Sequence, residues 1–197
     1  MGACERWRID SERSTLRFHI HHAVLRELDG QFQCWGGMVL FDPDPGRCSV
    51  RIWVDLSSID TGSTSRDNSI LATEVFDGIA EPALVFDSQR VEALDADRGL
   101  VVGWLALNSF RKQIAVKVER DPTHAFPPGT MRLGFIARAS IERAALGLHR
   151  PRSARDWLSE QLVGDTIDIA SSIELARDLT IADRPPGSMA LASDCRS

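Results

Sequence analysis

Asp60-Thr61-Gly62-Ser63-Thr64 spells the catalytic loop of an aspartic protease. That chemistry needs two carboxylates close enough to share one proton. The chain has one such loop, so a second copy in a homodimer would have to supply the other. Ala145-Leu146-Gly147 is a forced match to the apolar-apolar-glycine segment such a site also wants. The competing reading is structural: Ser58, Asp60, Thr61 and Gly62 close a strand, and the chain then turns into a capped helix.

His19-Ile20-His21-His22 is the second candidate. His19 and His21 share one face of a strand and are spaced to reach one metal ion. Two imidazoles need a third ligand, and sequence does not place His124, His149 or a carboxylate beside them. With Phe18 and Ile20 pointing inward, His19 and His21 face solvent. Neither G-x-S-x-G nor a phosphate-cradling glycine loop occurs, and no cysteine sits in a catalytic context. Cys4, Cys34, Cys48 and Cys195 form no C-x-x-C pair. They are expected to be free thiols in a reducing compartment. The reading is therefore of a protein that is not an enzyme and that uses no metal or cofactor.

The elements that would position these residues are strands. Ile167–Leu175 alternates apolar and polar residues, as do Val50–Leu56 and Gln113–Glu119. Similar patterns cover Leu16–His22, Gln31–Phe41, Leu84–Val91, Leu100–Leu107 and Met131–Arg143. Turn chemistry separates them at Asp42-Pro43-Asp44-Pro45-Gly46, at Asp95–Gly99 and within Ala125–Thr130. Many strands on short polar turns predict an antiparallel barrel or sandwich. Ser63 or Thr64 is placed to cap a short helix carrying Ile70, Leu71, Val75 and Phe76. Residues 151–163 read as a loop with one helical turn. The division expected is a single domain over 1–178 and a disordered tail over 179–197.

The 197 residues suit one domain. A net charge of -5 argues against a nucleic-acid partner. Lys112 and Lys117 are the only lysines, so nearly all positive charge is arginine. No apolar run approaches the ~20 residues of a membrane span. The opening MGACERWRID has no apolar leader, which gives cytoplasmic residence as the expectation. Inward-facing candidates are Phe18, Ile20, Phe32, Trp35, Val39, Ile52, Val54, Phe86, Trp104 and Phe135. In an eight-stranded barrel such a face is either packed solid or leaves room for one ligand. Patterning alone favours the solid core.

The sequence also resembles the YceI-like domain family. Trp7-Arg8-Ile9-Asp10, Ser14–Phe18 and His22 match its opening, and Gly30-x-Phe32-x-x-Trp35-x-Gly37 its next element. Its most specific stretch is matched by Ser58–Gly62, Arg66-Asp67, Leu71, Phe76-Asp77, Pro82 and Phe86-x-Ser88. Gly103-x-Leu105, Ile141-x-Arg143-x-x-x-Gly147 and Val163-Gly164-Asp165 follow in order. The resemblance runs from about Trp7 to Leu175. It implies an all-β fold: an extended eight-stranded antiparallel lipocalin-like β-barrel with a short helical insertion over Arg66–Phe76. It makes Asp60-Thr61-Gly62 a strand-to-helix junction, with Arg66 and Asp67 in an ion pair or cap. It implies that the ten inward candidates line a site for a long amphiphilic lipid, a polyisoprenoid, a quinone-like or a fatty-acid-like chain. A homodimer is compatible with it. Arg13, Ser109 and Ala145-Leu146 depart from the family pattern, at loops.

Overall fold

A computed structural model of the protein describes residues 4–22, 27–72, 83–123, 126, 130–142 and 163–177. These form eleven strand segments and one helix, α1, Thr64–Leu71. In chain order the strands are β1 (Glu5–Ile9), β2 (Thr15–His22), β3 (Leu28–Phe32), β4 (Trp35–Phe41), β5 (Ser49–Asp55) and β6 (Ile59–Asp60). Then follow β7 (Ala83–Ala93), β8 (Arg98–Leu107), β9 (Phe110–Arg120), β10 (Arg132–Glu142) and β11 (Val163–Arg177).

The eleven segments make eight long strands. β1 and β2 lie end to end along one edge of β11: Trp7–Ile9 pair with Arg177–Leu175, and Thr15–Ile20 with Ser172–Ile167. β4 and β3 repeat the break one strand further on, against β1 and β2. β5 and β6 follow them. From β5 the sheet runs antiparallel through β7, β8, β9 and β10 back to β11, and the β1–β11 pairing closes it. The result is a closed eight-stranded antiparallel barrel with one short helix. The β9–β10 ladder is the short one, Lys117–Arg120 against Phe135–Arg138.

Breaks in the strands reset which residues point inward. Phe32 and Trp35 have opposite parity, yet both line the interior, because Gln33 and Cys34 interrupt the alternation between β3 and β4. A shift between Ser88 and Arg90 does the same in β7, bringing Phe86 and Val91 to the same side. The predicted segments correspond to these eight strands. Alternation did not show β1, whereas the strand end read at Ser58–Gly62 corresponds to β6.

Inside, Leu107 and Leu175 are each 2 % exposed, and Trp35, Val54, Leu105 and Ile141 are nearly as buried. Phe18 lies directly opposite Gly30 on β3. A Cβ on Gly30 would come within 2.3 Å of Phe18 Cζ, so the ring occupies the space a side chain would take. The β8–β9 turn puts Asn108 at φ 53, a left-handed value Asn tolerates. Ser109 is therefore acceptable next to it without the freedom of glycine.

Helix α1 begins after Ser63, which makes no side-chain cap bond. Asp67 instead ties the first turn of the helix back to the preceding residues: its Oδ1 accepts from Thr61 N at 3.0 Å and Thr61 Oγ1 at 2.6 Å. No side chain caps the helix, Asp67 is a tether to Thr61, and Arg66 is exposed. The expected helical residues Val75 and Phe76, residues 151–162 and the 179–197 tail lie outside the described residues, whereas Val163, expected in a loop, begins β11.

Candidate functional site

The inner wall encloses two chambers stacked end to end. The first has a volume of about 120 Å³ and lies towards the start of β1, among Ile9, Val39, Val50, Val101, Phe135 and Leu175. The second, about 100 Å³, lies towards α1, among Leu16, Phe32, Trp35, Val54, Leu105 and Ile141. Ile52, Phe86, Val116, Ala137 and Ile173, from five different strands, line both. At the first chamber's outer end Phe41 stacks on Phe135 at 6.4 Å, and Trp7 meets Phe41 edge-on at 6.1 Å.

Polar side chains contribute almost nothing to these walls. Ser171 Oγ donates to Thr15 O at 2.7 Å. Cys48 Sγ bonds Asp42 O at 3.4 Å. Arg138 sits on the wall but pairs outside with Glu119. Such an interior can hold hydrocarbon and offers a charged head group nothing, so only an apolar chain fits it.

Seven of the sequence candidates line the chambers: Phe32, Trp35, Val39, Ile52, Val54, Phe86 and Phe135. Phe18 and Ile20 belong to the packed wall beside them, Phe18 with its ring 5.4 Å from that of Phe32. Trp104 corrects the expectation. It pairs with Asp87 and Gln113 on the outer face, and the Arg111 guanidinium lies 4.6 Å from its ring centroid. The reason is that Leu100–Leu107 is apolar on both faces. Val101, Leu105 and Leu107 take the inside, which forces Trp104 out. Sequence reading passed over Leu105, Ile114, Val116, Ala137, Ile173 and Leu175. The clean alternation of β9 and β11 was the signal for most of them.

The two chemical candidates are outer-surface features. Asp60 Oδ1 accepts from Gly62 N at 2.8 Å, and Oδ2 from Gln33 Nε2 at 2.9 Å and Gln31 Nε2 at 3.3 Å. The Gly62 N–H, followed by the two glutamine amides, holds its pKa below the ordinary 3.8. Oδ1 thus closes the turn onto Gly62, while Oδ2 is held by two glutamine amides. His19 Nδ1 lies 2.7 Å from Asp29 Oδ1. The hydrogen bond to Asp29 raises the His19 pKa above 6.5. Among the described residues no cluster of three metal-ligating groups occurs.

A larger dip of about 570 Å³ lies on the outer surface beside Asp95–Arg98 and Glu119–Pro122. Its charged groups pair locally, Arg98 with Asp95 and Glu119 with Arg138, and it opens broadly to solvent. Cys4 and Cys48 are free thiols. Cys34 departs from the expectation of free cysteines: it is disulfide-bonded. No helix among the described residues is long and apolar enough to cross a membrane.

A closed up-and-down barrel around an apolar interior defines a lipocalin-like class of fold. Within it the chain belongs to the YceI-like domain family, whose sequence model matches residues 7–175. It is 27% identical over 139 residues to protein YceI of Escherichia coli O6:H1, covering 69% of this chain and 72% of that one. It is 26% identical over 145 residues to a UPF0312 protein of Serratia proteamaculans, covering 72% and 75%. The fold matches Burkholderia cenocepacia BcnA with a TM-score of 0.70 at 18% identity, over 84% of this chain and 98% of that one. It also matches a polyisoprenoid binding domain from Saccharophagus degradans, implicated in plant cell wall breakdown, with a TM-score of 0.61 at 16% identity, over 87% and 98%.

Proposed function

We propose that the chain binds a long amphiphilic lipid, a polyisoprenoid or quinone-like chain, and carries or stores it with the tail inside the barrel. The observation that carries this reading is the pair of apolar chambers aligned along a closed barrel. The family supports it, and so does the fold shared with the Saccharophagus degradans domain. Burying apolar surface contributes roughly 0.8 kcal/mol per methylene-sized unit, so a tail of several isoprene units offsets its own ordering. The head group stays at a barrel end, because the walls offer it no free polar partner. No bond changes in this role, which is binding and not catalysis.

The test is native mass spectrometry of freshly purified protein, followed by organic extraction of what it holds. A co-purifying lipid, or uptake of a polyprenyl probe, is the expected result. A barrel that is empty as purified and refuses the probe overturns the proposal.

One observation favours a second reading. Chambers of about 100 and 120 Å³ fall below the roughly 300–1,000 Å³ of ligand pockets. On that reading the barrel is a structural or interaction module filled by its own side chains, and the same experiment returns no lipid.

Cytoplasmic placement, the expectation from sequence, is kept as a proposal. Thiol titration of fractionated cells tests it. Light scattering of the purified protein tests the homodimer with which the resemblance is compatible.

A further inference from the structure

We propose that the five residues shared by both chambers form a waist that sets the length of chain the barrel accepts, with Phe86 as its movable part. The proposal rests on the reading of the barrel as a site for an apolar chain. Ile52, Phe86, Val116, Ala137 and Ile173 come from β5, β7, β9, β10 and β11, so they ring the middle of the lumen. Each chamber by itself admits only a short piece of chain. A long chain has to pass the ring and occupy both.

Phe86 is the member able to yield. A Cβ on Gly103 would stand 2.8 Å from Phe86 Cζ, so the ring rests against a position with no side chain. The four other ring members are Ala137, with no rotatable side chain, and three β-branched residues stiff at χ1. Turning Phe86 aside joins the two chambers into one tube, and burial of the additional chain offsets that movement. Ala137 is the narrow point's only small residue. It is 7% exposed and pairs with Val118 on one side and Ser171 on the other. A larger side chain there blocks passage even when Phe86 moves.

The experiment compares prenols of increasing length, from geraniol and farnesol to geranylgeraniol and solanesol. Binding to the parent, to Ala137→Phe and to Phe86→Ala is measured by competition, and circular dichroism and thermal melts verify folding. The quantity read is the ratio of long-chain to short-chain affinity. It is expected to fall about tenfold in Ala137→Phe and to rise about tenfold in Phe86→Ala. An unchanged ratio in a folded variant overturns the waist. Should Ala137→Phe fail to fold, Ala137→Leu and Phe86→Ala carry the same comparison. A parent that binds no prenol of any length instead overturns the underlying lipid reading, so the two failures are separable.

Discussion

Arg132 and Glu174 are ion-paired on the outer wall of the barrel, under the loop that joins β1 to β2. Arg132 Nη1 also donates to Asp10 Oδ2 at 3.1 Å. The loop is pinned twice more: Asp10 N donates to Glu174 O at 2.9 Å, and Glu174 N to Ser14 Oγ at 2.9 Å. One arginine thus ties the break in the first long strand to the last two strands of the chain.

The Glu174 side chain is 5% exposed, so removing Arg132 leaves a buried carboxylate unpaired. Breaking a buried pair costs ~3–5 kcal/mol, and since Arg132 is 35% exposed the lower part of that range is expected for Arg132→Met. Urea unfolding measures it. Arg132→Met with Glu174→Leu should recover most of the loss. A single variant as stable as the parent would show that the pair contributes nothing.

The Phe18 ring fills the space above Gly30. Gly30→Val should therefore destabilise by ~1–3 kcal/mol through overpacking, and Phe18→Ala by ~3–5 kcal/mol through the hole it leaves. The double variant should be more stable than the two losses added together, because the new side chain enters the vacated space. Simple additivity in denaturant titrations would count against the contact.

His19 should titrate above 6.5, because the hydrogen bond to Asp29 favours its protonated form. A folded pKa above the unfolded one adds stability that is fully present below the unfolded value. That stability is lost as pH rises through the folded value. NMR titration of the ring is the measurement, and Asp29→Asn should move the midpoint down. No movement would mean that Asp29 is not its partner in solution.

Trp104 and Trp35 should respond oppositely to alanine. Trp104 stacks with Arg111 outside the barrel, a contact worth ~0.5–1 kcal/mol at an exposed site, and its loss should leave prenol uptake as in the parent. Trp35 is 3% exposed and lines the second chamber, so Trp35→Ala should cost ~3–5 kcal/mol and alter uptake. Impaired uptake in a fully folded Trp104→Ala protein would place that indole in the binding path.

Asp60→Asn tests the protease-like loop. The amide keeps an oxygen for the Gly62 N–H but loses the charge that both glutamines favour. The expected outcome is a small loss of stability, seen as a lower thermal midpoint. Acid-pH proteolysis by the parent that this variant abolishes would restore the catalytic reading.

Much of the strand plan was legible because alternation is a local property. Ile114, Val116 and Val118 face inward for the reason their spacing suggests, and so do Ile169, Ile173 and Leu175. What alternation cannot carry is a phase. In Leu100–Leu107 both faces are apolar, so the side chosen for Trp104 depends on the strands next to β8. Interruptions at Gln33-Cys34 and around Gln89 reset the phase by one residue, and a period read across them misassigns everything beyond.

The amino-acid sequence by itself determined the eight segments, the turns at Asp42–Gly46 and Asp95–Gly99 and the helix after Gly62, since each depends on residues near one another in the chain. Tertiary structure alone decided that β1 meets β11 to close the barrel, and that the lumen narrows at Phe86 and Ala137. Both depend on contacts between residues distant in sequence, where ring closure and side-chain volume, summed over five strands, fix the outcome.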